Sequence, residues 1–272
     1  MGTKTGTILF AAVAAGMAGA VGHSPTASAT VIYSDSFVQA QGTQLSGQVV
    51  QSSATYAGGT AGAIWTGSTG ILTTGSGSYI PQASEIYLPF SPQQGYIYTL
   101  SATLDTSSNT AGDWAAIGFS DGAATGAFWH TINSPADWAL VRGAASGGAG
   151  GGQPQYFAGP GTNNGGGFGT AADTGLQIVV ITLNTSAAAW TGSAVIQGAP
   201  SNPSSTFTYT SNPAITDVGF GTAGFASALT SANISNFAIT AVATPEPASL
   251  GLLIAGAAGA MLLLRRRVRT VC

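Results

Sequence analysis

The feature that most constrains the fold of this chain is a series of short segments in which apolar and polar residues alternate. In the clearest segment, residues 96–104, the tyrosines and leucines fall on one face and the threonines and serine on the other. A two-residue period is typical of a half-buried antiparallel strand. Further strands are predicted at residues 31–38, 85–90, 114–120, 127–132, 137–142, 176–183, 187–196, 215–221 and 232–240.

The segments between these strands also indicate an all-β fold. They are clusters of Gly, Asn, Ser and Pro at fairly regular spacing, and no apolar pattern with a helical period competes with them. Such spacing favours a β-sandwich or a barrel. Residues 143–152 and 159–169 are glycine-rich and are predicted to be loops; a spacer role is favoured, and loops that shape a ligand groove are the alternative.

One segment differs from the alternating pattern. Residues 176–183 are apolar on both faces, which predicts a central strand covered on both sides. A turn at residues 184–186 follows, and Trp190 lies in the next predicted strand, so the two strands are expected to form a hairpin.

The first 29 residues have the layout of a secretion signal. Lys4 is the only early charge, residues 8–22 are apolar, and Ala27-Ser28-Ala29 is a small-residue cleavage site that would leave Thr30 as the new N-terminus. A buried helix or a permanent anchor fits less well, because the apolar core is short and ends in Gly22. We therefore expect export of the chain.

The last residues predict a membrane span. Residues 248–264 carry no charge and, as a helix, would extend roughly 25 Å, just within the range needed to cross a hydrocarbon core. Four arginines follow directly within residues 265–269, and basic residues beside a span stay in the cytoplasm. The alternative, a buried helix at the end of a globular domain, fits poorly with these arginines.

The order of motifs in this tail resembles the PEP-CTERM sorting signal. The resemblance covers Pro245-Glu246-Pro247, the apolar span and the cluster Arg265, Arg266 and Arg267. It implies recognition by an exosortase, a membrane peptidase of exopolysaccharide-producing bacteria, and delivery from the inner membrane to the envelope or matrix. The same tail is also catalogued as an ice-binding protein C-terminal segment, a name that says nothing about the rest of the chain.

Between these ends, residues 30–244 contain almost no positive charge. Arg142 is the single basic residue against eight acidic ones, a net charge of −7. Such a surface excludes electrostatic binding of nucleic acid or of an anionic membrane. Cys272 is the only cysteine and lies in the tail, so the body cannot form an internal disulfide and must be stabilised by its core.

Several segments of the body resemble the laminin-G-like, or concanavalin-A-like, domains. They are Asp35-Ser36-Phe37, Leu45-Ser46-Gly47, Ala63-Ile64-Trp65, residues 114–120, the hairpin with Trp190, residues 218–221 and residues 234–239. The resemblance implies a jelly-roll β-sandwich over residues 30–243 whose first and last strands pair. The expected organisation is thus a signal peptide (1–29), the sandwich (30–243) and a sorting segment (244–269) with its transmembrane helix.

The residues needed for catalysis are sparse. A β-glucan hydrolase of this fold uses two glutamates flanking an aspartate, whereas Glu85 is the only glutamate of the body. A serine triad would need His130, the only histidine of the body, with Asp113 or Asp137, but no Gly-x-Ser-x-Gly elbow accompanies it. We therefore expect no enzymatic activity; the alternative is a secreted hydrolase of unrecognised type.

Calcium is the metal best suited to the body, because zinc would require clustered Cys and His residues. Asp105, Asp113 and Asp121 flank one predicted strand and are the candidate ligands. Their spacing matches no defined calcium loop, so turn-capping aspartates are the favoured interpretation, and no other cofactor is indicated.

Polysaccharide is the ligand class that the aromatic residues of the body suggest. Trp129, His130, Trp138 and Arg142 lie within fourteen positions on two adjacent predicted strands and are the candidate binding residues. Burial of the tryptophans in the core is the favoured alternative, with Arg142 paired to an acid such as Asp137. Ice binding is a minor alternative, because residues 206–210 form a Thr-x-Thr-x-Thr row but one row without repetition in neighbouring strands is too little.

These observations predict an exported, non-catalytic protein of the bacterial cell surface or matrix. Its expected partners are an exosortase and exopolysaccharide, and the inner membrane would hold it before processing.

Overall fold

The chain folds into two antiparallel sheets. A computed structural model describes residues 28–74, 79–80, 84–106, 114–120, 135–142, 154–158, 168, 176–198, 204, 206–223 and 233–244. Residues 1–27 of the predicted signal peptide, residues 245–269 of the predicted sorting segment and the predicted strand at 127–132 lie outside these residues. None of the described residues form a helix with the length and hydropathy to span a membrane.

Within the described ranges, the regular structure consists of strands. Their bounds are β1 Thr30–Asp35, β2 Ser52–Ser53, β3 Thr66–Gly67, β4 Leu72–Thr73, β5 Tyr79–Ile80, β6 Ser84–Pro89, β7 Tyr96–Asp105, β8 Trp114–Ser120, β9 Pro135–Arg142, β10 Gln155–Ala158, β11 Leu176–Asn184, β12 Thr191–Ile196, β13 Phe207–Thr208, β14 Asp217–Ala223 and β15 Asn233–Ala243.

The larger sheet has nine strands and the smaller has six. The larger follows the order β13-β12-β11-β7-β15-β1-β2, with β5 joined to β15 and β4 to β5. The smaller follows the order β10-β9-β8-β14-β6-β3. β1 pairs with β15, as the resemblance implied, and the prediction of an all-β sandwich is confirmed for the described residues.

The main core lies between the two sheets. Leu100 on β7, Ile117 on β8 and Phe220 on β14 are all fully buried in it. Tyr33 joins the layers, because its hydroxyl on β1 donates to the carbonyl of Pro89 on β6 at 2.6 Å. Strands in which apolar and polar residues alternate therefore place their apolar side chains in this core and their polar side chains on the outer faces.

The strand β11 corrects one expectation from the sequence. Its central position is confirmed, since it pairs with both β7 and β12. It is not covered on both sides, because Leu176 and Ile178 are 63% and 40% exposed. The second apolar face of β11 is part of the outer surface of the nine-stranded sheet.

Several strand boundaries differ from the prediction by a few residues, and short strands such as β10 were not predicted. The predicted strand at 187–196 begins only at Thr191, because residues 186–189 form a bend. At the start of this bend, Asn184 Oδ1 accepts from the Ser186 amide at 2.9 Å. β10 was not predicted, since a four-residue strand between glycine-rich segments is too short to show a period.

Candidate ligand-binding face

The candidate site is the outer face of the six-stranded sheet. On β9, Ala139 and Val141 belong to the main core, so Trp138, Leu140 and Arg142 lie on the opposite face. The side chains on this face include a second apolar cluster, separate from the main core. It comprises Trp114, Ala116, Trp138 and Leu140, with Phe157 packed against it.

Aromatic rings form one side of this face. Trp138 pairs with Phe157 across β9 and β10, and their rings are stacked with centroids 4.2 Å apart and an interplanar angle of 11°. Trp114 on β8 lies 5.9 Å from Trp138 at 46°. Trp138 is only 2% exposed, whereas Phe157 is partly buried, so Phe157 is the more accessible ring of the stacked pair.

The middle of the face is a floor of small residues on β8 and β14. Gly118 pairs with Trp138 on one side and with Gly219 on the other, and Gly219 pairs with Tyr87 of β6. A Cβ on Gly118 would lie 2.3 Å from the Trp138 Cβ, so the strands approach too closely for a larger residue. Trp138 and Tyr87 are three strand spacings apart, roughly 14 Å.

Arg142 lies on the aromatic side and is bound by a neutral partner. Its Nη2 and Nε donate to Gln155 Oε1 of β10 at 2.6 and 3.2 Å. Burial lowers the pKa of its guanidinium group. The expected pairing with Asp137 is wrong, because the two residues lie on opposite faces of β9.

Asp137 is directed into the space between the sheets. It is fully buried, and burial raises the pKa of its carboxyl group well above the usual value, which favours the neutral acid. Tyr156 of β10 is its neighbour there. A Cβ on Gly192 of β12 would lie 2.1 Å from Tyr156 Oη and 2.9 Å from Asp137 Oδ2, so glycine is required beside this pair.

Glu85 lies on the other side of the small-residue floor. It is 6% exposed, and its Oε1 has no hydrogen-bond partner among the described residues. Burial raises its pKa to about 8, so the carboxyl group is largely protonated at neutral pH. Trp138 Nε1 across the floor likewise lacks a partner in the described part of the chain.

Glu85 and Asp217, the two acids of this face among the described residues, are too far apart for glycoside hydrolysis. Glu85 pairs with Gly221 on β14, and Asp217 lies four residues along the same strand. At about 3.3 Å per residue the two are roughly 13 Å apart. Retaining and inverting pairs need about 5–5.5 Å and 6.5–9.5 Å respectively, so these two residues do not form such a pair.

Of the binding residues predicted from the sequence, the structure brings Trp138 and Arg142 together on one face. Trp129 and His130 lie outside the described residues. Glu85, Gln155 and Phe157 were not predicted as site residues. For Glu85, one feature of the sequence could have indicated a role: it is the only glutamate of the body, and it lies within a predicted strand.

The metal and sorting residues are mostly outside the described ranges. Asp105 ends β7, where it pairs with Leu176 and Asn233 at one end of the nine-stranded sheet. The other two candidate calcium ligands, Asp113 and Asp121, and the sorting segment from Pro245 onward are not among the described residues. Within the described ranges, no three His, Cys, Asp or Glu residues cluster as a metal site.

Comparisons with known proteins give a likeness of fold. No protein-family model and no curated protein matches the chain. An endo-1,3-β-glucanase from Streptomyces sioyaensis is 15% identical, with 82% of this chain and 100% of that chain covered and a TM-score of 0.41. The Griffonia simplicifolia lectin I-B4 is 13% identical, with 66% and 92% covered and a TM-score of 0.44.

The carbohydrate recognition domain of Emp47p is 10% identical, with 78% of this chain and 98% of that chain covered and a TM-score of 0.46. All three TM-scores are below 0.5. These likenesses therefore supply no argument about what this chain binds or catalyses.

Proposed function

We propose that the sandwich is a non-catalytic module that binds polysaccharide through the outer face of its six-stranded sheet. The observation that supports this proposal most directly is the pair of unpartnered polar atoms, Glu85 Oε1 and Trp138 Nε1, on that face. Buried polar groups in proteins are nearly always hydrogen-bonded. Two such groups beside stacked aromatic rings are the donor and acceptor set expected for a hydroxyl-bearing ligand.

The arrangement suits a sugar chain. Pyranose rings have apolar C–H faces that pack on aromatic rings, and their hydroxyl groups both donate and accept hydrogen bonds. Phe157, the more accessible ring of the stacked pair, offers aromatic surface, and Gly118 and Gly219 contribute no side chains to the middle of the face. A ligand lying across this floor would meet aromatic rings on one side and Glu85 on the other.

Binding of soluble polysaccharides by the purified full chain tests this proposal. Affinity electrophoresis with and without calcium should show retardation, and Phe157→Ala should weaken it by about tenfold, as expected for loss of roughly 1.4 kcal/mol of contact energy. Thr99→Ala on the outer face of the other sheet is the matched control. Equal retardation of both variants would contradict the proposed face.

Absence of catalysis is part of the same proposal. Turnover of glycoside and ester substrates should be undetectable in the purified chain. If turnover is found and His130→Ala abolishes it, a hydrolase is the correct function instead.

Export and sorting complete the proposed function. The signal peptide and PEP-CTERM-like tail would bring the sandwich to the envelope or matrix after an exosortase removes the tail. A body with a single cation fits a location among polymers, since it has little electrostatic attraction for nucleic acid or anionic lipid. Mass spectrometry of the native protein tests this: cleavage near Pro245-Glu246-Pro247 is expected, and an intact C-terminus would contradict it.

One observation favours ice binding as a second candidate. On the outer face of the nine-stranded sheet, Thr99 of β7 pairs with Thr182 of β11 and Thr240 of β15, and Thr182 pairs with Ser193 of β12. This row provides repetition across neighbouring strands, outside residues 206–210. Thermal hysteresis by the purified chain, lost in Thr182→Lys, would support this function; its absence would exclude it.

A further inference from the structure

The described strands on either side of Glu85 place no side-chain hydrogen-bond partner beside its carboxyl group. On β14 it pairs with Gly221, which has no side chain to offer. On the other side, the pairing of β3 with β6 ends at Gly67. The Glu85 backbone makes two hydrogen bonds with Ser68: its amide donates to Ser68 Oγ, and its carbonyl accepts from the Ser68 amide. Neither of them involves the carboxyl group.

The carboxyl group is therefore buried without a built-in partner for Oε1 among the described residues. By contrast, Asp217 on the same face accepts from the Thr216 hydroxyl at 2.7 Å, and Asp35 has two donors at 2.8 and 2.9 Å. Leaving a buried acceptor unsatisfied costs about 1–3 kcal/mol, so a group in this state is suited to a partner that arrives from outside.

Resting on the proposed function, we propose that Glu85 is a specificity-determining residue that hydrogen-bonds a hydroxyl group of an uncharged polysaccharide. Anionic sugars fit this side of the face poorly, since a ligand carboxylate would lose its hydration beside Glu85 with no cation next to it among the described residues. Arg142, the cation that would recognise them, lies three strands away with two of its donors engaged by Gln155.

The protonation state of Glu85 agrees with this role. Burial raises its pKa to about 8, and a neutral carboxyl group can donate as well as accept. In the described residues, the other titratable groups on this side of the face are Tyr87, two residues along its own strand, and Asp217 on β14, roughly 13 Å away; β3 contributes Thr66 and Gly67, which do not titrate. Ionisation above pH 8 removes the proton that Glu85 would donate.

The test compares three variants of the full chain with two probes, the neutral glucan laminarin and the polyuronate alginate. Wild type should bind laminarin in preference to alginate at pH 7. Glu85→Ala should weaken laminarin binding by about tenfold, as loss of one hydrogen bond predicts, and the isosteric Glu85→Gln by much less. Asp217→Asn, which alters a partnered acid on the same face, should bind as wild type does.

A pH series keeps the test valid if Glu85→Ala fails to fold. Wild-type affinity for laminarin should fall between pH 7 and 9, and that of Glu85→Gln should stay level. If folded wild type binds neither polymer, the proposed function fails and this inference fails with it. If wild type binds laminarin but Glu85→Ala or the pH series matches the Asp217→Asn control, the role of Glu85 alone is wrong.

Discussion

At the scale of single residues, Asp35 ties the first strand to the main core. Its Oδ1 accepts from the Phe37 amide at 2.8 Å and its Oδ2 accepts from Trp65 Nε1 at 2.9 Å. These contacts hold Phe37 and Trp65 in an aromatic cluster with Phe220 and Phe237, with centroids 5.1–6.0 Å apart. The Asp-Ser-Phe motif of the sequence is therefore a structural motif.

Replacing Asp35 with alanine should destabilise the fold by about 2–4 kcal/mol, because the variant leaves the buried Trp65 Nε1 and the Phe37 amide without acceptors. Urea unfolding followed by tryptophan fluorescence measures this change. Asp217→Asn is the control, and it should cost less than about 1 kcal/mol, since Asp217 is partly exposed and keeps an oxygen acceptor for Thr216. Similar losses in both variants would show that Asp35 has no special role.

Gly192 provides a second test at this scale. Its Cα faces the buried pair Asp137 and Tyr156, and an added methyl group would meet Tyr156 Oη at 2.1 Å. Gly192→Ala should therefore destabilise the fold by about 1–3 kcal/mol through overpacking.

Tyr156→Phe should relieve part of this loss, because it removes the oxygen that the new methyl group contacts. Unfolding of both single variants and the double variant forms the cycle. If the loss of unfolding free energy in the double variant equals the sum of the losses in the two single variants, the proposed clash is wrong.

At the scale of strands, the period-two pattern predicted much of the fold. The bounds of β8 match the prediction, and those of β7 and β6 differ by one residue. Residues 176–183 show where the pattern fails. An apolar outer face and a buried one look alike in sequence, and only the packing of the second sheet distinguishes them.

Strand β11 therefore allows a direct test of which of its faces is buried. Ile178→Thr on its exposed face should change stability by less than about 0.5 kcal/mol. Ile181→Thr on the same strand, where Ile181 is fully buried in the main core, should cost about 2–4 kcal/mol through a lost methyl contact and a buried hydroxyl group. Thermal unfolding of the two variants compares them, and equal losses would imply that both faces are covered.

The candidate site could be predicted only in part, because its residues are brought together by tertiary packing and not by a local sequence pattern. Trp138 and Arg142 could be predicted together because they lie four positions apart on one strand. Glu85 and Phe157 join them from strands that are distant in sequence, and only the strand order β10-β9-β8-β14-β6 brings them to one face. No local pattern contains that order.

For the whole molecule, the acids and not the cations determine how stability depends on pH. Burial raises the pKa of Asp35, Glu85, Asp137 and Asp217, in the case of Glu85 to about 8. In each case the folded state binds its proton more tightly than the unfolded chain does. The stabilisation is complete below the unfolded pKa of about 4 and is lost as pH rises through the folded pKa.

The free energy of unfolding should therefore fall as pH rises from about 4 to about 8. Each group can contribute a slope of up to about 1.4 kcal/mol per pH unit within its own window. Glu85→Gln should flatten the part of the profile below pH 8, since glutamine carries no titrating proton. Urea unfolding at pH 5, 6, 7 and 8 measures both profiles. A stability that instead rises over this interval, as in proteins whose carboxylates are paired with cations, would mean that the buried acids are ionised in the folded state.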